Sequence, residues 1–133
     1  MSKIIFFDKK SSKKGILVPI ENSKQIPFNI KRVFYIYDIE KESQRGDHGH
    51  QNLEEIIISI QGSCKILVHD AENEKEFNLD SPEKGLYLSN LFWLKMRDFS
   101  NNCILLVLCS DFFNEEDNID DFSKFLKLKL NSV

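Results

Sequence analysis

No apolar pattern in this chain lasts long. Short runs rich in Ile, Val, Phe and Tyr recur about every ten residues, and each is cut by Gly, Pro, Asn or Asp. The runs at 4–7, 15–20, 31–38, 56–60, 63–69, 76–79, 86–88, 92–96 and 103–109 read as strands. The segment 9–14 reads as a polar turn, Gln61-Gly62 as a two-residue hairpin turn, and Pro82 and Gly85 frame another turn. So many short, closely spaced strands bury their faces only by closing on themselves, which gives an all-β domain of barrel or double-sheet jelly-roll type. The ending differs. Ile119, Phe122, Phe125, Leu126 and Leu130 fall at helical spacing behind Asp117 and Asn118, either of which can cap a helix. The expectation is one domain over 1–133, with a β-barrel over 1–116 and one amphipathic helix over 117–131 packed on its outside.

The charge balance, 18 basic against 21 acidic residues for a net −3, argues against nucleic acid or an acidic membrane as partner. No apolar run approaches the ~18–20 residues that span a bilayer, and Ile4–Phe7 is too short for a secretory core. Cys64, Cys103 and Cys109 lack metal-ligand spacing and sit inside apolar runs, as buried reduced thiols do. A cytoplasmic protein is expected.

The sharpest chemical feature is Arg45-Gly46-Asp47-His48-Gly49-His50, which holds two of the three histidines. On a strand, residues i and i+2 share a face, so both imidazoles enter one space. Two uses follow. With Glu55, and Gly62 beyond it, the pair resembles the first metal-binding motif of the cupins. The second cupin motif brings another histidine from a later strand, and the segment from Pro82 to Leu94 has none. Alternatively the imidazoles act as general acid and base on a C–H beside a ketone. Arg45 and the tyrosines Tyr35 and Tyr37 are then donors to the developing oxyanion, and Asp38 or Glu55 orients a ring. Arg32 and Lys65 are candidate phosphate ligands.

Several runs, taken in order, resemble one family. They are Ile30–Tyr37, Arg45–His50, Gln61–Cys64, Leu79–Tyr87, Trp93-x-x-Met96, Asp98–Ser100 and Val107–Asp111. The pattern, extending from about residue 15 into the last helix, is similar to that of the dTDP-4-keto-6-deoxyglucose 3,4-ketoisomerases, cupins of the WxcM-like type. The resemblance implies a homodimeric cupin without a cofactor or a catalytic metal, acting on a dTDP-linked keto sugar. Its ketone would move from carbon 4 to carbon 3, and the product would feed an aminotransferase making 3-amino-3,6-dideoxy sugars for surface glycans. On this reading His50 is the principal base and His48 its acid partner, with Arg45 and Tyr35 beside them. Lys14, Arg32, Tyr37, Glu55, Lys65, Tyr87 and Trp93 are expected to bind substrate, Trp93 and Tyr87 by stacking on thymine or deoxyribose. The chain departs from the pattern at Gly49 and Gln51, where close relatives have Ala and Lys. It departs again at Glu55, where they have Gln, and at Leu94, where many have His. Lys14 lies near the region implied to set the configuration at carbon 4. Two other functions stay open: a metal-dependent cupin using His48, His50 and Glu55, and an inactive dTDP-sugar-binding cupin.

Overall fold

The computed structural model describes residues 1–132. In chain order the strands are β1 (Ser2–Phe6), β2 (Lys10–Ser12), β3 (Gly15–Leu17), β4 (Arg32–Ile36), β5 (Arg45–His50) and β6 (Glu55–Gln61). They continue with β7 (Cys64–His69), β8 (Glu74–Leu79), β9 (Lys84–Leu88), β10 (Trp93–Arg97), β11 (Ile104–Cys109) and β12 (Asn118–Ile119). Helix α1 (Phe122–Asn131) closes the described chain. Two five-stranded antiparallel sheets, β1-β9-β6-β11-β4 and β12-β5-β10-β7-β8, pack face to face as a cupin-like jelly roll, and β2-β3 is a separate hairpin.

Side-chain alternation explains how the sheets stack. Ile57, Leu86, Leu105 and Val107 of the first sheet meet Ile66, Leu94 and Met96 of the second in one buried core. The intervening residues Ile56, Ile58, Tyr87 and Leu108 face the other way and are covered by Phe7, Ile26 and Phe28. Because both faces of β6 are buried, its sequence reads as a continuous Ile run instead of an alternating one. The outer face of the second sheet is covered by α1, whose Phe125 packs with Trp93 and Ile119.

Two elements differ from expectation. Residues 10–12, read as turn, form β2 and pair with β3 with every side chain exposed, so no apolar period marks them. The helix begins at Phe122 instead of 117. Asn118 and Ile119 are drawn into an extended conformation by pairing with His50 and Gly49, and Asp121 becomes the N-cap by accepting from the Ser123 amide at 3.0 Å. Cys64, Cys103 and Cys109 are buried and free, as expected.

Phe125 is 0% exposed and ties the helix to the sheet. Phe125→Ala should cost about 3–5 kcal/mol in urea unfolding. A cost below about 1 kcal/mol would mean that the helix is not held by this contact.

Candidate active site

The site depends on an irregularity in β5. Antiparallel pairing sets His48 opposite Leu94 and Arg45 opposite Met96, with Gly46 opposite Lys95 and Asp47 left over. Gly46 and Asp47 both have positive φ, 84° and 61°. This is a β-bulge, and it resets the alternation. Three residues apart on a regular strand, Arg45 and His48 would point to opposite faces. With one extra residue between them they share the inward face, as their partners Leu94 and Met96 do. A Cβ on Gly46 would lie 2.8 Å from the Leu94 carbonyl oxygen, so the bulge admits glycine alone without strain. The displaced Asp47 turns outward, where it accepts a hydrogen bond from Trp93 Nε1 at 3.0 Å and lies 3.9 Å from Lys95 Nζ.

Arg45, His48 and His50 open into a cavity of about 610 Å³ between the two sheets. Leu53, Ile57, Leu94, Met96 and Val107 give it apolar walls, with Arg32 and Glu55 among them. The two imidazoles are edge to face, with ring centroids 5.1 Å apart. Asp117 enters from the short 3₁₀ turn before β12. Its carboxylate accepts from the backbone amides of Asn52 at 2.8 Å and Leu53 at 3.3 Å, and its Oδ2 is 3.4 Å from His50 Nδ1. Nδ1 is buried without an aligned hydrogen-bond partner, so Asp117 acts on the ring mainly through its charge.

Burial favours the uncharged form of two groups in this site. Burial, then the neighbouring His48, hold His50 down at about 4 against the upward pull of Asp117. His50 is therefore an unprotonated imidazole at neutral pH. Burial pushes the Glu55 carboxyl up to about 7, with Arg32 pulling the other way. An acceptor nitrogen, a guanidinium and a second histidine around one volume can take a proton from carbon and return one, while stabilising an oxyanion.

Of the residues singled out in the sequence, Arg45, His48, His50, Arg32 and Glu55 come together in this cavity. Tyr35 and Tyr37 border it, but Phe34 and Ile36 take the inner face of β4. The two tyrosines are left on the outer face, 66% and 61% exposed, with Tyr35 away from the reacting interior. Four expected ligands lie elsewhere. Trp93 is buried under α1, because Leu94 takes the inward position on β10. Tyr87 faces the outer layer of the first sheet and donates to Glu54 Oε1. Lys65 lies beside Asp98 at 3.8 Å, and Lys14 sits in the exposed β2-β3 turn. His48, His50 and Glu55 share the cavity, yet among the described residues no three His, Cys, Asp or Glu side chains form a metal-binding cluster. Asp117 was missed because its tie to β5 spans more than sixty residues and its sequence neighbourhood suggested a helix cap.

Comparison with known proteins places the chain. The family model described as WxcM-like, C-terminal (FdtA) matches residues 1–130. The chain belongs to this family. It is 43% identical over 126 residues to the TDP-4-oxo-6-deoxy-alpha-D-glucose-3,4-oxoisomerase of Aneurinibacillus thermoaerophilus, covering 95% of this chain and 91% of that one. The crystal structure of a 3,4-ketoisomerase from Helicobacter canadensis matches with a TM-score of 0.94 at 43% identity, over 97% of each chain. A mutant of the Thermoanaerobacterium thermosaccharolyticum 3,4-ketoisomerase, in complex with TDP-4-keto-6-deoxyglucose, matches at 0.95 and 37% identity over 98% of this chain and 94% of that one.

Two outcomes follow from the geometry. Gly46→Ala forces a Cβ into the Leu94 carbonyl and should destabilise the protein by about 1–3 kcal/mol. Activity should fall further than stability as Arg45 leaves the inward face, and an Ala variant with unchanged turnover would show that the bulge is dispensable. The second concerns pH. The folded-state pKa of His50 lies below the ordinary 6.5, so the unfolded chain takes up a proton there that the folded one refuses. The stability this contributes is present above pH 6.5 and lost as pH falls towards 4. Denaturant midpoints of the wild type and His50→Asn should diverge through that window, and parallel curves would contradict the assignment.

Proposed function

We propose that the protein is a nucleotide-sugar 3,4-ketoisomerase that moves the ketone of a TDP-linked 4-keto-6-deoxyglucose from carbon 4 to carbon 3. The observation carrying this reading is that two imidazoles and a guanidinium share one face of β5 inside an apolar cavity large enough for a sugar. The names of the close relatives supply the substrate class.

The proton on carbon 3 is acidic because it neighbours the carbon-4 ketone. Neutral His50 accepts it, and the C–H electron pair becomes the C3–C4 double bond while negative charge gathers on the carbon-4 oxygen. Arg45 faces that charge with its fork of N–H donors. His48 delivers a proton to carbon 4. The carbon-3 hydroxyl passes its proton to the carbon-4 oxygen, and as the electron pair on the carbon-3 oxygen forms the new C=O the C3–C4 double bond takes up the proton His48 delivers. Carbon 4 is left with a hydroxyl, and the proton His50 gained equals the one His48 gave. Protons and electrons balance without a redox partner. Arg32, held 4.7 Å from the Phe34 ring and 5.1 Å from that of Phe113, is available to the diphosphate at the mouth. Tyr35, exposed at the border of the cavity, is assigned no step in this proton path. A homodimer belongs to the same reading, since Phe6 on β1 and Val33 on β4 leave apolar surface exposed at the two edges of the first sheet.

The test is direct. The purified protein with dTDP-4-keto-6-deoxyglucose and EDTA should yield the 3-keto isomer, identified by NMR. His50→Asn and His48→Asn should each lower kcat by about 10²–10⁴-fold. Tight binding of the sugar nucleotide with no conversion would make the protein a binding module instead.

A further inference from the structure

We infer that Glu55 serves as a neutral carboxylic acid in the cavity wall, donating a hydrogen bond to the sugar oxygen on which charge develops, and that its ionisation shuts the enzyme down as the medium becomes alkaline. The inference rests on the isomerase reading and adds to it a group that the proton path above does not use.

Glu55 opens β6 and is 5% exposed, one of two buried polar or charged residues in the described chain. Its cross-strand neighbours are Leu88 on β9 and Cys109 on β11. A buried carboxylate is normally held by several N–H donors or by a paired cation. Glu55 has neither: among the described residues burial and the charge of Arg32 act on its carboxyl, and no hydrogen bond does. Its oxygens are also not sealed away, because the only fully buried unpartnered side-chain N or O atom among the described residues is His50 Nδ1. A carboxyl without a partner, with its oxygens open to the cavity and apolar groups around it, is a hydrogen-bonding group waiting for a ligand.

The charged and titratable groups packed around it decide its state. Arg32 on β4 favours the carboxylate, but its guanidinium lies over the Phe34 and Phe113 rings. Cys109 on β11 is pushed up to about 12 by burial, then by Glu55 itself, so it stays a neutral thiol. Elsewhere in the same cavity β5 carries neutral His50 and, beside it, His48, and the 3₁₀ turn carries Asp117 next to His50. β9 and β10 offer Leu88, Leu94 and Met96, which solvate no charge. Desolvation wins over Arg32, which is why the carboxyl is raised to about 7. A protonated carboxyl supplies an O–H donor, whereas an ionised one is acceptor only and repels an enediolate.

The experiment is the pH profile of kcat for the intact enzyme on dTDP-4-keto-6-deoxyglucose, wild type against Glu55→Gln. The wild type should show an alkaline limb, falling about tenfold per pH unit once the acid has ionised. The Gln variant, which donates through an uncharged amide, should have that limb abolished or displaced, whatever the height of its plateau. An alkaline limb unchanged in Glu55→Gln overturns the proposal. A parallel readout needs no turnover. A folded-state pKa raised above the ordinary 4.5 means that the contribution of Glu55 to stability is fully present below pH 4.5 and is lost as pH rises towards 7, and Glu55→Gln should abolish this part of the pH dependence. If the wild type turns nothing over at any pH, the isomerase reading fails and takes the donor role with it. If turnover is present but the two stability curves run parallel, Glu55 is not the neutral acid and this proposal alone falls.

Discussion

One extra residue in one strand organises this protein. Without the Gly46-Asp47 bulge, alternation on β5 would send Arg45 and His48 to opposite faces of the sheet. With it, a guanidinium and two imidazoles converge on one volume. The bulge is secured from both sides: Gly46 admits the Leu94 carbonyl at a distance no side chain tolerates, and Trp93 holds the displaced Asp47 from outside. The helix takes part indirectly, because Phe125 packs against the Trp93 ring that makes this hydrogen bond. The outer layer of the second sheet thus supports the chemistry of its inner face.

The second constraint is dielectric. Apolar walls of Leu, Ile, Met and Val favour the uncharged form of whatever titrates among them. That environment keeps His50 an acceptor at neutral pH and raises Glu55, a carboxylate in water, to about 7. Asp117 moderates the effect on His50 from one side, since its carboxylate is committed to the backbone amides of residues 52 and 53 and cannot swing away. The resulting cavity combines a base, a cation and an acid around one volume, an arrangement suited to enolising a ketone.

Much of this was legible from residue order alone. Turn residues mark the strand ends well, and the continuous Ile run of β6 announces a sheet covered on both faces. The inward histidines follow from spacing. What failed had physical causes. β2 is built from exposed polar residues and carries no period. The helix start was misplaced because Asn118 and Ile119 are recruited by β5, a pairing far away in sequence. Trp93 and Tyr87 were expected at the ligand because aromatic residues on strands suit stacking. Alternation gives their face relative to neighbours but not which face holds the cavity, and Leu94 and Glu55 turned out to line it. Arg45 was chosen for its chemistry, while the bulge that turns it inward was hidden in a Gly-Asp pair that also reads as an ordinary turn.

The central claim is that a proton leaves carbon 3 and another arrives at carbon 4 through two different imidazoles. Following the reaction in D₂O with EDTA, by NMR of the sugar ring, tests it most directly. The product should carry solvent deuterium at carbon 4, with incorporation suppressed in His48→Asn and His50→Asn. Product that keeps the original carbon-3 hydrogen at carbon 4, with no deuterium, would mean a direct shift or a single base returning the same proton, and either would contradict it.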